Sequence, residues 1–198
     1  MMPDITSRLP GFIPRRIVGL CGYARAGKDT IAAELIAKGW RRFGFADALK
    51  EDVGRCIQLP FDRMAPADKE FWRPLLVQYA VLRRQQSPDY WIHRLVDEVQ
   101  SRTPPSQPVI ITDVRYRNEV EWIQRCGGLV CYVEHEMQPA CEEEERSIRE
   151  AVPLILPENW ILNRGTVDRA RHRLEAAVVQ HYGKNGTELE GWPCDENL

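Results

Sequence analysis

Apolar residues fall along this chain in two rhythms. Short continuous runs at 16–21 (RIVGLC), 109–112 (VIIT) and 129–134 (LVCYVE) have the length and branched content of strands buried on both faces of a sheet. Between them lie stretches in which apolar residues recur every three or four positions, as on a helix with one buried face. This pattern predicts strands at 16–21, 40–46, 109–112, 129–134 and 160–163. It predicts helices at 28–38, 47–56, 67–86, 88–102, 118–125 and 166–181. Ile31, Leu35 and Ile36 form the apolar face of the first helix; Ala170, Leu174, Ala177 and Val178 form that of the last. Gly39 ends the first helix, Asp47 is placed to cap the second, and Pro74 kinks or restarts the third. Alternating strands and helices imply an α/β fold of three layers, a mostly parallel sheet with helices on both faces. A ligand then belongs at the carboxyl ends of the strands.

One domain is expected over 15–182. Residues 67–102 form a helical insertion between strands, and 136–150 a lid-like segment too acidic to bury itself well. Residues 1–14, with three prolines, read as a flexible arm, and the Gly-, Asn- and Glu-containing stretch 183–198 as a disordered tail. The 198 residues suffice for a sizeable core, and 43% hydrophobic with 28% charged residues is ordinary for a globular domain. A net charge of −2 supplies no general attraction to nucleic acid or to a membrane surface. No apolar run approaches the roughly 20 residues of a membrane span, and the first residues lack the basic start and apolar block of a secretory signal. A cytoplasmic location is the expectation. Cys21, Cys56, Cys126, Cys131, Cys141 and Cys194 make no C-x-x-C pair, so reduced thiols and no zinc site are expected.

The chemistry concentrates where the first strand runs into its helix. The segment Gly22-Tyr23-Ala24-Arg25-Ala26-Gly27-Lys28 is a Gly-x-x-x-x-Gly-Lys phosphate loop. Gly22 and Gly27 allow backbone angles that side chains forbid. The N–H groups of Ala24, Arg25, Ala26 and their neighbours can then converge on phosphate oxygens, backed by the positive end of a helix. Lys28 reaches the same charge as a point cation. The next residue is Asp29 in place of the usual Ser or Thr, followed by Thr30. Two roles are open: Asp29 holds magnesium directly or through water, or Thr30 contacts phosphate.

Asp113 closes an apolar strand, where a phosphate-loop enzyme places a carboxylate on its metal; a helix cap or a pair with Arg115 is the alternative. Arg115 and Arg117 follow and suit bidentate contact with phosphate; a solvated pair is the alternative, and it is the expectation for Arg117. Asp47 and Lys50 lie beyond the second strand on the same rim, as a cap or as groups of a second-substrate site. Arg73, Gln78, Arg83, Arg84 and Trp91 decorate the insertion, where aromatics beside arginines suit a base and its phosphate; the same Trp91 at helical spacing also reads as core.

Together these segments resemble the deoxynucleoside monophosphate kinases of bacteriophages, within the P-loop kinase superfamily. The resemblance rests on Gly-Lys-Asp-Thr (27–30), Phe-Ala-Asp-Ala-Leu-Lys (45–50), Arg73-Pro-Leu-Leu with Arg83-Arg84, and Pro-Asp-Tyr-Trp (88–91). Val-Ile-Ile-Thr-Asp-Val-Arg-Tyr-Arg-Asn-Glu (109–119) and Ile-Leu-Asn-Arg-Gly-Thr (161–166) complete it. It implies a P-loop NTPase fold and transfer of the γ-phosphoryl of ATP, with Mg²⁺, to a deoxynucleoside 5′-monophosphate. It implies Lys28 on the donor phosphates and Asp47, Lys50, Arg84 and Arg115 near the acceptor. The expected metal contacts, read from the residues themselves, are Asp29 or Thr30 together with Asp113. The strand after Gly128 ends in Glu134-His135 where relatives often carry arginine, which leaves Arg146 and Arg149 to supply lid charge. A kinase for another small phosphorylated acceptor, such as dephospho-coenzyme A or a metabolite, and a nucleotide-dependent regulatory protein are the alternatives. A homodimer through the aromatics of the insertion is also open. The location implied is cytoplasmic, in a host cell if the chain is phage-encoded.

Overall fold

The computed structural model describes residues 16–58, 66–136 and 139–184, with backbone only for 66–70 and 184. The expected arm at 1–14 and the tail beyond 184 lie outside the described residues. Among the described residues five strands, β1 (Ile17–Cys21), β2 (Arg41–Phe43), β3 (Val109–Val114), β4 (Leu129–Glu134) and β5 (Trp160–Leu162), pair in the order β2-β3-β1-β4-β5. Every pairing is parallel, because each strand is reached through a helical crossover. The helices are α1 (Lys28–Ala37), α2 (Phe45–Ile57), α3 (Pro66–Gln86), α4 (Tyr90–Arg102), α5 (Arg117–Arg125), α6 (Glu142–Ala151) and α7 (Val167–Lys184).

The two-residue period of the strands sorts their side chains between two layers. Val18, Leu20, Ile110, Leu129 and Cys131 meet Ile31, Leu35, Leu174 and Val178 of α1 and α7. Ile17, Cys21, Val109, Ile111 and Val130 meet Ala48, Leu95, Ile123 and Ile148 of α2, α4, α5 and α6. The central strand β1 is buried throughout. Gly19 lets α5 lie close against it, since a Cβ there would stand 2.6 Å from Ile123 Cδ1. At its start, Ile17 N–H donates to Tyr182 Oη at 2.8 Å and Ile17 C=O accepts from the same hydroxyl at 2.7 Å, which pins α7 to the sheet.

Four expectations change. Ile36 is 39% exposed, since it lies too far round α1 from Ile31 and Leu35 to share their face. Helix α2 begins at Phe45 with Gly44 at its cap position, so Asp47 sits inside the first turn and is not the cap. The acidic segment, expected to bury itself poorly, holds α6. Its helix α6 turns Glu144, Ser147, Ile148 and Ala151 inward at helical spacing, all 3% exposed or less. The final helix runs on to Lys184, past the expected end of the domain. Within the insertion, α4 contributes Trp91, Ile92, Leu95, Val96 and Val99 to the core, and α3 runs continuously through Pro74. Among the described residues no helix is long and apolar enough to cross a membrane.

Candidate active site

The phosphate loop leaves the carboxyl end of the central strand. Gly22 has φ +146°, and a Cβ on it would stand 2.6 Å from the Val133 carbonyl oxygen. Gly27 is left-handed at φ +85°, and a Cβ there would stand 2.5 Å from Asn163 Nδ2. Both are places where only glycine fits. Arg25, at the exposed tip, also takes a left-handed angle, φ +64°. Asn163 buttresses the turn by donating Nδ2–H to Ala26 C=O at 2.9 Å. Lys28 opens α1 and is buried; its ammonium donates to the carbonyls of Gly22 at 2.7 Å and Tyr23 at 2.6 Å. An ammonium has three donors, so a third remains. Burial, and then the nearby Arg115 cation, push the Lys28 pKa down.

Beside the loop lies a cavity of about 410 Å³ between α2, α3, α6 and the end of β3. This volume is in the range of small-molecule sites. Lys50, Arg73, Arg84 and Arg115 line it together with apolar surface from Leu49, Leu76, Val81 and Trp91. Trp91 is 2% exposed and donates its indole N–H to Ala80 C=O at 3.3 Å, so it is a packed wall. Arg84 lies against the Tyr116 ring and reaches Glu119 Oε1 at 3.5 Å.

Three carboxylates complete the walls, each held by backbone amides. Asp113 Oδ1 accepts from Phe45 N–H and Oδ2 from Ala46 N–H, both at 2.8 Å. It thus caps α2 from a strand far away in sequence, where Gly44 has no side chain to offer. Burial pushes its pKa up, and the two amides pull the other way. Glu119 Oε2 accepts from Arg115 N–H at 2.8 Å and Tyr116 N–H at 3.0 Å; burial raises its pKa against the pull of Arg84. Glu144 reaches the phosphate loop itself, accepting from Ala24 N–H at 2.8 Å.

Asp29 Oδ1 accepts from the Thr112 hydroxyl at 2.7 Å and lies 3.5 Å from Arg42 Nε. The Asp29 side chain is still 76% exposed at the first turn of α1. Magnesium takes one or two carboxylates and completes its octahedron with phosphates and water, so this open carboxylate fits such an ion. Thr30 beside it is exposed, and its carbonyl accepts from Arg171 Nε at 3.3 Å. Among the described residues no group of three or more His, Cys, Asp or Glu forms a cage. The Cys21 thiol beneath the loop is pushed up to about 12 by burial and stays protonated.

The structure therefore gathers Lys50, Arg73, Arg84, Trp91, Asp113 and Arg115 around one cavity beside Lys28. Other expected site residues point elsewhere. Asp47 pairs with Arg42 and, at 3.6 Å, with Lys50. Gln78 lies on the exposed side of α3. Arg83 bonds the Tyr79 hydroxyl and lies over the rings of Tyr79 and Tyr90. Arg117 pairs with Glu121 on its own helix, the solvated position expected of it. Arg146 and Arg149 reach back along α6 to Glu143 and Glu145 and are 67% and 73% exposed, so neither faces the cavity. Tyr116, Glu119 and Glu144 were missed as site residues. Only the helical spacing of Glu144 with Ser147, Ile148 and Ala151 signalled its inward face.

No family model and no curated protein matches the sequence. Among solved structures, the chain is similar to a gluconokinase from Sinorhizobium meliloti 1021, at 12% identity and TM-score 0.47 over 88% of this chain and 97% of that one. It is also similar to TT1252 from Thermus thermophilus, at 14% identity and TM-score 0.43 over 85% of this chain and 98% of that one.

Proposed function

We propose that the chain is a kinase that transfers the γ-phosphoryl group of ATP to the phosphate of a deoxynucleoside 5′-monophosphate. The observation that carries this reading is the adjacency of two anion-binding features. A glycine-bounded backbone loop ends in Lys28, and beside it a cavity joins four cationic side chains to an apolar wall. One feature suits a triphosphate tail; the other suits a base with its own phosphate.

In the reaction an oxygen of the acceptor phosphate attacks the γ-phosphorus. The bond to the β,γ-bridging oxygen breaks, and ADP leaves with that oxygen's electrons. Phosphoryl transfer asks mainly for positioning and neutralisation of charge. Lys28 meets the donor phosphates after exchanging its bonds to Gly22 and Tyr23. Arg84 and Arg115 hold the acceptor phosphate in line, with Lys50 and Arg73 lining the same cavity. Magnesium, held by the phosphates, Asp29 and Thr30, would draw charge off the leaving group. Asp113 keeps a second lone pair on each oxygen, enough to meet a water of that ion. The acceptor oxygen is already nucleophilic, so no strong base is needed.

The test is an acceptor screen with ATP and Mg²⁺ over dGMP, dTMP, dCMP, dAMP, their ribo-counterparts, gluconate and dephospho-coenzyme A. Deoxynucleotide turnover, lost on the order of 10²-fold or more in Lys28→Ala, supports the reading. Slow ATP hydrolysis that no acceptor accelerates would instead indicate a regulatory protein. Turnover of a different acceptor would keep the kinase and reject the deoxynucleotide.

A further inference from the structure

We propose that Glu144 is a positioning residue that ties the phosphate loop to Arg115 and so sets the direction of Arg115's remaining donors. The inference rests on the kinase reading above and adds a coupling between its two halves. Glu144 Oε1 meets two groups from different elements: it accepts Ala24 N–H of the loop at 2.8 Å and forms an ion pair with Arg115 Nη1 at 3.2 Å. Its other oxygen accepts from Ala140 N–H at 2.6 Å. The side chain is 1% exposed, and each oxygen has a partner. A buried carboxylate with this donor set is anchored, and it anchors what it touches.

Both ends of the tie are themselves fixed. Ser147, Ile148 and Ala151 bury the same face of α6, which denies the helix a slide along its axis. The backbone of Arg115 is held by Glu119 Oε2. Only the guanidinium of Arg115 is then free to turn, and the ion pair with Glu144 holds its Nη1 edge. The Arg115 side chain is 37% exposed and opens on the cavity, so the other donors are available to an anion there. Glu144 also sets a carboxyl group near two cations, Lys28 and Arg115, that otherwise repel. Without it, Arg115 swings away from Lys28 and from the line joining donor and acceptor.

The tie is tested in the full-length protein with Glu144→Gln, Glu144→Ala, Arg115→Ala and the Glu144→Ala/Arg115→Ala double variant. Hydrogen exchange at the Ala24 amide reads the tie without turnover; it speeds up in Glu144→Ala. In steady-state kinetics, kcat falls about 10- to 100-fold in Glu144→Ala while KM for ATP changes little, as for a misdirected group in an intact donor site. Glu144→Gln, which keeps an acceptor for one amide and the shape of the side chain, recovers part of that loss. In the Arg115→Ala background, Glu144→Ala costs almost nothing further. Losses that multiply across the two sites would overturn the proposal, as would unchanged Ala24 exchange. So would a rise in kcat, which would make Glu144 a competitor of phosphate. If the wild-type chain phosphorylates no acceptor, the kinase reading fails on its own, and Ala24 exchange still decides the tie.

Discussion

The guanidinium carbon of Arg84 lies 3.7 Å from the ring centroid of Tyr116. A cation over an aromatic face is attracted by the ring quadrupole, and the ring also fixes the plane of the fork. Tyr116 in turn has its amide held by Glu119, which faces the same arginine. Ring, carboxylate and guanidinium thus form one wall of the cavity. Burial pushes the Tyr116 phenol up to about 12, so it stays neutral at any ordinary working pH. Tyr116→Leu removes the face under Arg84 and weakens acceptor binding about 3- to 30-fold, for the loss of roughly 0.5–2 kcal/mol. Tyr116→Phe keeps the face and loses only the hydroxyl bond to Glu143, so its acceptor affinity stays near wild type. Acceptor titration by calorimetry separates the two variants.

Two glycines of the first strand and its turn answer differently to a methyl group. Gly22→Ala meets the Val133 carbonyl oxygen, which is backbone, at an angle that side chains rarely adopt. Gly19→Ala meets the tip of Ile123, which can turn away, although Val114 Cγ2 stands 3.0 Å off on the other side. Gly22→Ala therefore costs the more stability, and no single neighbouring substitution restores it. Gly19→Ala costs about 1–3 kcal/mol as overpacking, and Ile123→Val recovers part of that in urea unfolding.

Asp113 replaces a cap that α2 cannot supply from its own residues. Asp113→Ala leaves the amides of Phe45 and Ala46 without their acceptor and costs about 1–3 kcal/mol. Asp113→Asn costs a similar amount, because its amide nitrogen then faces one of the two N–H donors. Gly44→Ala disturbs the same contact by setting a Cβ 3.0 Å from Asp113 Oδ2. Chemical unfolding measures all three.

Glu119 makes stability depend on pH with a definite sign. Its folded pKa is raised above that of the unfolded chain, mainly by burial. Between the two values the folded chain holds the proton and the unfolded chain does not. The contribution is therefore full below the ordinary glutamate pKa and is lost as pH rises through the folded value. Glu119→Gln removes it. Urea unfolding at a series of pH values, from below the glutamate range up to neutrality, then shows a less negative slope in the variant than in the wild type.

What could be read before folding was local. The run from Ile17 to Thr30 announces a strand, a glycine-bounded turn and a helix within fourteen consecutive residues, and the structure has that order. The apolar runs of β3 and β4 mark their own positions because a strand buried on both faces admits few polar residues. Arg73 and Arg84 stood out as cations of the helical insertion and Arg115 as the arginine just past the strand-end carboxylate, and one cavity holds all three.

The amino-acid order by itself determined the alternation of elements, the phosphate loop and its lysine, since these depend on neighbours in the chain. Tertiary structure alone decided which carboxylates anchor the walls of the cavity. Glu144 meets Ala24 across 120 positions, and Asp113 meets Phe45 across 68. No local spacing encodes such pairs, and an acidic helix looks solvated until a sheet lies beneath it. Carboxylates that read as surface or metal ligands became anchors because packing brought unsatisfied amides to them and excluded the water that would otherwise have taken their place.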